Sequence, residues 1–222
     1  MKTNNNLSSH GKNSPLGHKP LEAITRLIEV CLPHATPVAT DTPNIPITLR
    51  AEDGKQQIIL LLEGDIKCYR ASDNLLYGIA DAPTMLGLMT SEYSSVSFIF
   101  KGNKESKISV LPRDKAIDLI AEHGLVRELI ACNTRFTDYR NYHSDLMISR
   151  TAYDIICGLL LEIEQLPQEV RRKSSVVNFI LERSNLARSG VMKILADLRT
   201  GDYIDIQNGK LITINKRFPD EY

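Results

Sequence analysis

Apolar and polar positions alternate with three different rhythms along the chain. Leu21, Ile24, Leu27, Ile28 and Cys31 recur at spacings of three and four, which predicts a short amphipathic helix stopped at Pro33. From Thr36 to Leu111 the rhythm shortens. Apolar runs at Ile45-Pro46-Ile47, Gln57 to Leu62, Ile66 to Tyr69, Leu75 to Ile79 and Val96 to Phe100 are separated by turn formers such as Glu63-Gly64-Asp65, Ser72-Asp73-Asn74 and Asp81-Ala82-Pro83. Many short strands at close spacing predict a β-sandwich or barrel. Pro112 closes this region, and Arg113 to Ile148 reads as helix with a break at Gly124. A further helix over Ala152 to Leu166 carries Ile155, Ile156, Leu159, Leu160 and Ile163 on one side, ends at Pro167, and is followed by an exposed basic turn at Arg171-Arg172-Lys173.

Within the long helical stretch, Leu125, Leu129, Cys132, Phe136, Tyr139, His143 and Leu146 alternate at spacings of four and three. Such a repeat suits two readings: the seam of a homodimer formed by paired helices, or a stripe laid against the preceding β domain. A 3.5-residue repeat held over three heptads fits a long helix partner better than a sheet, so the seam is the expectation, with His143 as a polar seam residue.

The segment from Ser175 to Ile214 is the most informative. Val176 to Arg183 predicts a short helix, Ser184-Asn185 a turn in which Asn tolerates the left-handed conformation, and Ala187 to Arg199 a second helix with Val191, Ile194, Leu195 and Leu198 as its apolar face. Next, Tyr203 to Ile206 and Lys210 to Ile214 flank Gln207-Asn208-Gly209, and Asn-Gly between alternating strands is a strong hairpin signal. Two helices followed at once by such a hairpin predict a winged helix-turn-helix. Each piece alone is common in plain cores; their order is what makes the signal specific. Arg188, Ser189, Met192 and Lys193 point away from the apolar face, where a recognition helix meets base edges in the major groove of double-stranded DNA. Arg188 and Lys193 are expected on bases or adjacent phosphates, Ser189 at a base edge, and Arg183, Arg199 and Lys210 on the backbone.

Composition changes this picture little. The 222 residues are 42% hydrophobic and 24% charged, enough for two compact units. The expected division is a disordered tail over 1–19, a β-roll over 20–112, a long helix over 113–150 and the winged helix over 151–222. Net charge is zero, yet from Pro167 onward ten Lys and Arg stand against seven acids, a mildly basic end on an otherwise acidic chain. Cys31, Cys68, Cys132 and Cys157 are far apart, with no paired spacing of a metal or cluster site, and read as reduced thiols with redox sensing as the alternative. Neither a secretory signal nor a membrane-spanning run is apparent, so a soluble, cytoplasmic protein without metal or other cofactor is expected. No zinc-protease, phosphate-loop or nucleophile-elbow pattern occurs, and Glu122-His123 lacks a second His one turn on, so an enzyme is not expected.

The order of a β-roll carrying Leu62-Glu63-Gly64, a long helix and the segment Ala187-Arg188-Ser189-Gly190-Val191-Met192-Lys193-Ile194-Leu195 resembles the Crp/Fnr superfamily of bacterial transcription regulators. The ending, Gly201 to Ile204 with Asn208 to Asn215 and Pro219 to Tyr222, is similar to its IprA-like (YaiV) winged helix-turn-helix branch. The resemblance implies an α+β chain with a cyclic-nucleotide-binding-like double-stranded β-roll, a dimerisation helix, and a role in oxidative-stress gene control. Cyclic-nucleotide-binding members hold the ribose with a Gly-Glu pair and the phosphate with an Arg beside Ser or Thr. Here Gly87 precedes Leu88, and no Arg lies between Arg70 and Arg113, so Ser94-Ser95-Val96-Ser97 lacks a guanidinium and no cyclic nucleotide is expected to bind. A protein-interaction module, whose winged helix docks a protein instead of DNA, is the alternative.

Overall fold

A computed structural model describes residues 19–39, 46–90, 97–148 and 150–219, in two compact units that meet in sequence between Asp138 and Tyr139. The tail over 1–18, most of Ser94-Ser95-Val96-Ser97 and the last three residues lie outside the described residues.

Among the described residues the first unit opens with helix α1 (Leu21–Cys31) and continues as eight strands: β1 (Thr36–Val38), β2 (Pro46–Thr48), β3 (Gln57–Glu63), β4 (Asp65–Arg70), β5 (Leu76–Asp81), β6 (Thr84–Leu86), β7 (Phe98–Gly102) and β8 (Lys107–Pro112). They form two antiparallel four-stranded sheets, ordered β1-β8-β3-β6 and β2-β7-β4-β5. Strand β3 explains why one run, Ile58 to Leu61, is apolar without alternation. Ile58 and Leu60 face a helical layer with Ile24, Leu27, Ile28, Leu119 and Ile120, while Ile59 and Leu61 join Ile47, Ile66, Phe100 and Ile108 in a second apolar cluster. A strand buried on both faces needs no polar positions.

Helix α2 (Arg113–Glu122) follows, and Gly124, at φ +67°, breaks it from α3 (Val126–Met147) as expected, because that backbone region excludes most side chains. Arg26 on α1 pairs with Glu128 on α3. Four members of the expected dimer seam also make contacts inside this unit. Leu125, Cys132 and, partly, Leu129 pack into the helical layer of this unit, and Phe136 packs against the second cluster. For these four the face laid against the β domain, the second reading of the stripe, applies within the subunit, whereas Tyr139, His143 and Leu146 belong to the other unit. The boundary between the two units falls inside the helix expected over 113–150, between Asp138 and Tyr139.

In the second unit, α4 (Ala152–Gln165), α5 (Gln168–Lys173), α6 (Val176–Arg183) and α7 (Arg188–Thr200) precede the hairpin of β9 (Ile204–Gln207) and β10 (Lys210–Ile214). A reciprocal cap starts α4, where Thr151 Oγ1 accepts from the Asp154 amide and Asp154 Oδ2 from the Thr151 amide. Ile156, Cys157, Leu159, Leu160 and Ile163 are buried against Phe179, Ile180, Val191, Leu195 and Leu211. Ile155 is only partly buried, and Leu146, the last member of the stripe, sits in this core. The basic segment Arg171-Arg172-Lys173 is the last turn of helix α5 and not a turn between elements.

Candidate nucleic-acid interface

The helix pair α6–α7 and the hairpin β9–β10 form the winged helix that the apolar periodicity predicted. Ser175 caps α6, its hydroxyl accepting from the Asn178 amide at 3.5 Å. Between the helices, Ser184 is buried and extended, at φ −141°, and its hydroxyl donates to the Ile180 carbonyl at 2.7 Å. Asn185 does not take a left-handed conformation, so the expectation placed on it fails. The connection is bracketed instead by two extended residues, Ser184 and the Ala187 cap.

The hairpin forms as expected. Asn208 and Gly209 both have positive φ, 50° and 74°, the backbone of a two-residue type I′ turn, with Lys210 opposite Gln207. Three contacts fix the wing to its own unit: the Val176 amide donates to the Gly209 carbonyl at 2.9 Å, Lys210 Nζ to the Lys173 carbonyl at 2.8 Å, and the Ile214 amide to Glu164 Oε1 at 3.2 Å. Lys216 lies 4.4 Å from the centre of the Tyr203 ring.

On α7, Val191, Ile194, Leu195 and Leu198 are buried, which turns the rest of the helix outward. Arg188, Ser189, Gly190, Met192, Lys193 and Arg199 are exposed. Neither Arg188 nor Lys193 has a hydrogen bond or ion pair within the chain among the described residues. Lys210 is half-buried at the wing, its ammonium tied to the α5 terminus.

Arg183 is placed otherwise than expected. It is buried, its guanidinium stacks on Phe179 at 3.5 Å from the ring centre, and its Nε lies 3.8 Å from Glu162 Oε1. A side chain so held cannot reach a DNA backbone. Burial raises the Glu162 carboxyl above the usual carboxylate range, opposed by the charge of Arg183. The α4–α6 ion pair is the feature that the sequence reading missed, because a Glu and an Arg 21 positions apart carry no periodic signal.

The other expected site residues lie elsewhere. Tyr139 and His143 are half-buried on α3, their ring centres 6.4 Å apart. The four cysteines are free; Cys31, Cys132 and Cys157 are buried, Cys68 partly so. Burial pushes the thiols up, to about 11 for Cys31 and Cys132 and about 12 for Cys68 and Cys157. In the β-roll, Gly87 is spent on a close approach, since a Cβ there would meet Leu49 Cδ2 at 2.8 Å and the Gln57 carbonyl at 3.0 Å. Among the described residues no group of three or more His, Cys, Asp or Glu could hold a metal ion, and no helix is long and apolar enough to cross a membrane.

The family described as winged helix-turn-helix DNA binding matches residues 152–220. Among solved structures, a CooA mutant from Carboxydothermus hydrogenoformans superposes with a TM-score of 0.62 at 12% identity, over 86% of this chain and 91% of that one. The c-di-GMP responsive global regulator CLP of Xanthomonas campestris gives 0.59 at 13% identity, over 86% of this chain and 100% of that one. A transcriptional regulator of the Crp/Fnr family from Eubacterium rectale gives 0.56 at 13% identity, over 89% of this chain and 94% of that one. Two curated relatives are both called inhibitor of hydrogen peroxide resistance. That of Escherichia coli K12 is 31% identical over 182 residues, 79% of this chain and 84% of the relative, and that of Salmonella typhimurium is 27% identical over 212 residues, 92% of this chain and 98% of the relative. With its winged helix, its Crp/Fnr-like fold and that degree of identity over most of both sequences, the chain belongs to the family of the inhibitors of hydrogen peroxide resistance.

Proposed function

We propose that this chain is a cytoplasmic, homodimeric, sequence-specific DNA-binding transcription regulator that acts in oxidative-stress gene control without binding a cyclic nucleotide. One observation carries the DNA reading: the outward face of α7 holds two cations, Arg188 and Lys193, that no acid among the described residues neutralises, on either side of Ser189. Unpaired cations on a convex helix of this length suit the major groove, where Arg reads a guanine edge through two hydrogen bonds and Lys finds a base or phosphate. Arg199 and Lys210 would add backbone contacts.

Dimerisation through α3 is supported by its outer face as well as by the half-buried members of the stripe, Leu129, Phe136, Tyr139 and His143. On the outer face Val126 and Ile130 are 51% and 59% exposed, about 120° around the helix from the inner residues. A dimer supplies two α7 helices, one for each half-site of a two-fold symmetric sequence. The link to oxidative stress comes from the names of the relatives. The cyclic-nucleotide reading follows from the missing Glu after Gly87 and the missing Arg before Arg113; calorimetry with cyclic AMP and cyclic GMP should register no binding, and micromolar affinity for either would overturn it.

The test of the function is recovery of genomic duplexes by the purified protein, followed by sequencing. A shared, two-fold symmetric sequence is expected, and Arg188→Ala should lower affinity for it about 5- to 150-fold, the range for one bidentate base contact. Recovery of no DNA at low salt would sink the proposal and leave the protein-docking module as the better account.

A further inference from the structure

Gly190 is a glycine that the chain itself does not need. It occupies the first turn of α7, a 13-residue helix, with an ordinary negative φ, and a Cβ built on it meets nothing within 4 Å. Glycine in a helix is inferior to alanine because its unfolded state is freer, so an exposed helical glycine is a standing cost to stability. Where neither backbone strain nor internal packing calls for it, the missing side chain serves something outside the chain.

Helix geometry says on which side. At about 100° per residue, Ser189, Lys193 and Ala196 point most directly away from the buried face of Val191, Ile194, Leu195 and Leu198. Arg188, Met192 and Arg199 form one flank of that exposed surface, all long side chains. The opposite flank begins with Gly190. Its next member, Asp197, lies seven residues on, about 10 Å further along the axis. A helix in a groove presents one flank to each wall. The long flank can reach its wall at a distance, whereas the bare flank can only touch by approaching.

We infer that Gly190 is the close-approach position of the recognition helix, where the sugar-phosphate backbone of one DNA strand packs directly on the α7 main chain. The inference rests on the DNA-binding reading above. It makes the helix seat off-centre in the groove, displaced toward the strand on the Gly190 side, with its N-terminal end deepest. Asp197 on the same flank then stays clear of that strand's phosphates, being two turns nearer the shallow end. Arg188 and Met192 span the wider gap on the other side. Gly190 thereby sets the register in which Arg188 and Ser189 meet base edges.

The experiment compares Gly190→Ala and Gly190→Leu with the parent chain and with Arg188→Ala, on a duplex selected from a random-sequence pool by the parent protein. Both Gly190 variants should melt higher, by about 4–8 °C for alanine if the winged helix melts as a small domain, because the helix gains propensity and nothing is displaced. Both should nevertheless bind the selected duplex more weakly, alanine by about tenfold and leucine by more. Reselection with Gly190→Leu should return a different preferred sequence. If both Gly190 variants bind within twofold of the parent while Arg188→Ala loses affinity, the close approach is wrong and the DNA reading stands. If Arg188→Ala and Gly190→Leu are both without effect, α7 is not the reading helix and both proposals fall together.

Discussion

Arg183 and Arg188 lie five residues apart, yet one is a core residue and the other a surface cation. Removing Arg183 leaves Glu162 buried beside an empty space, and breaking a buried pair in this way costs about 3 kcal/mol. Arg183→Ala should therefore lower the melting temperature by several degrees, whereas Arg188→Ala should leave it within about one degree and act only on DNA affinity. The Arg183→Ala deficit should also depend on pH, with a definite sign. Glu162 already holds its proton more tightly in the folded protein than in the unfolded chain, so its contribution favours folding at low pH and is lost as pH rises through its raised folded pKa. Without Arg183 that pKa rises further. The deficit should be small near pH 5 and grow toward neutral pH, as measured by denaturant titration at each pH; a deficit that shrinks as pH rises would refute the pairing. The cysteines make a second residue-scale case. Thiols held at about 11 to 12 by burial supply little thiolate at neutral pH. Native protein should react with iodoacetamide far more slowly than protein unfolded in urea, and rapid labelling of any one cysteine would reinstate it as a redox sensor.

At the scale of the element, α3 has two faces with different expected roles. Phe136→Glu would put a charge against the apolar cluster of Ile59, Leu61 and Phe100, and should cost the fold several kcal/mol. Ile130→Glu alters only an exposed position, so it should leave the melting curve of the subunit nearly unchanged and convert the dimer to monomer in light scattering. A dimer that survives both Ile130→Glu and Val126→Glu would remove α3 as the interface. The stripe admits two partners because its spacing is shared by every helix that covers something. Periodicity reports that a face is buried and is silent about what buries it. The wing shows the converse. Asn208-Gly209 demanded a particular backbone, and local stereochemistry alone was enough to place the turn.

For the whole molecule, DNA affinity should be governed by few cations, since the net charge is zero. Arg188, Lys193, Arg199 and Lys210 from each subunit could displace about eight counterions, which corresponds to a slope of roughly −7 in log affinity against log salt concentration. A filter-binding or anisotropy series across salt concentrations measures it. A slope near zero would mean that binding does not engage the phosphate backbone. The Arg183 result narrows this set: counted from sequence it was a fifth DNA-contacting cation, and the fold withdraws it into the core.

What the sequence determined by itself was whatever depends on neighbours within a few positions. The helix periods, the break at Gly124, the Asn-Gly wing and the apolar face of α7 all arise from local backbone preference and burial of one face. Even the bare flank at Gly190 was present in it, although its meaning needed the knowledge that nothing in the fold fills that space. Tertiary structure alone decided partners: that Leu125, Leu129, Cys132 and Phe136 pack on their own β-roll unit, that Arg183 answers Glu162, and that Lys210 is tied to the end of α5. Those choices depend on which segments the packing brings together across tens of residues, and a buried face or a lone charge is compatible with many partners until the fold selects one.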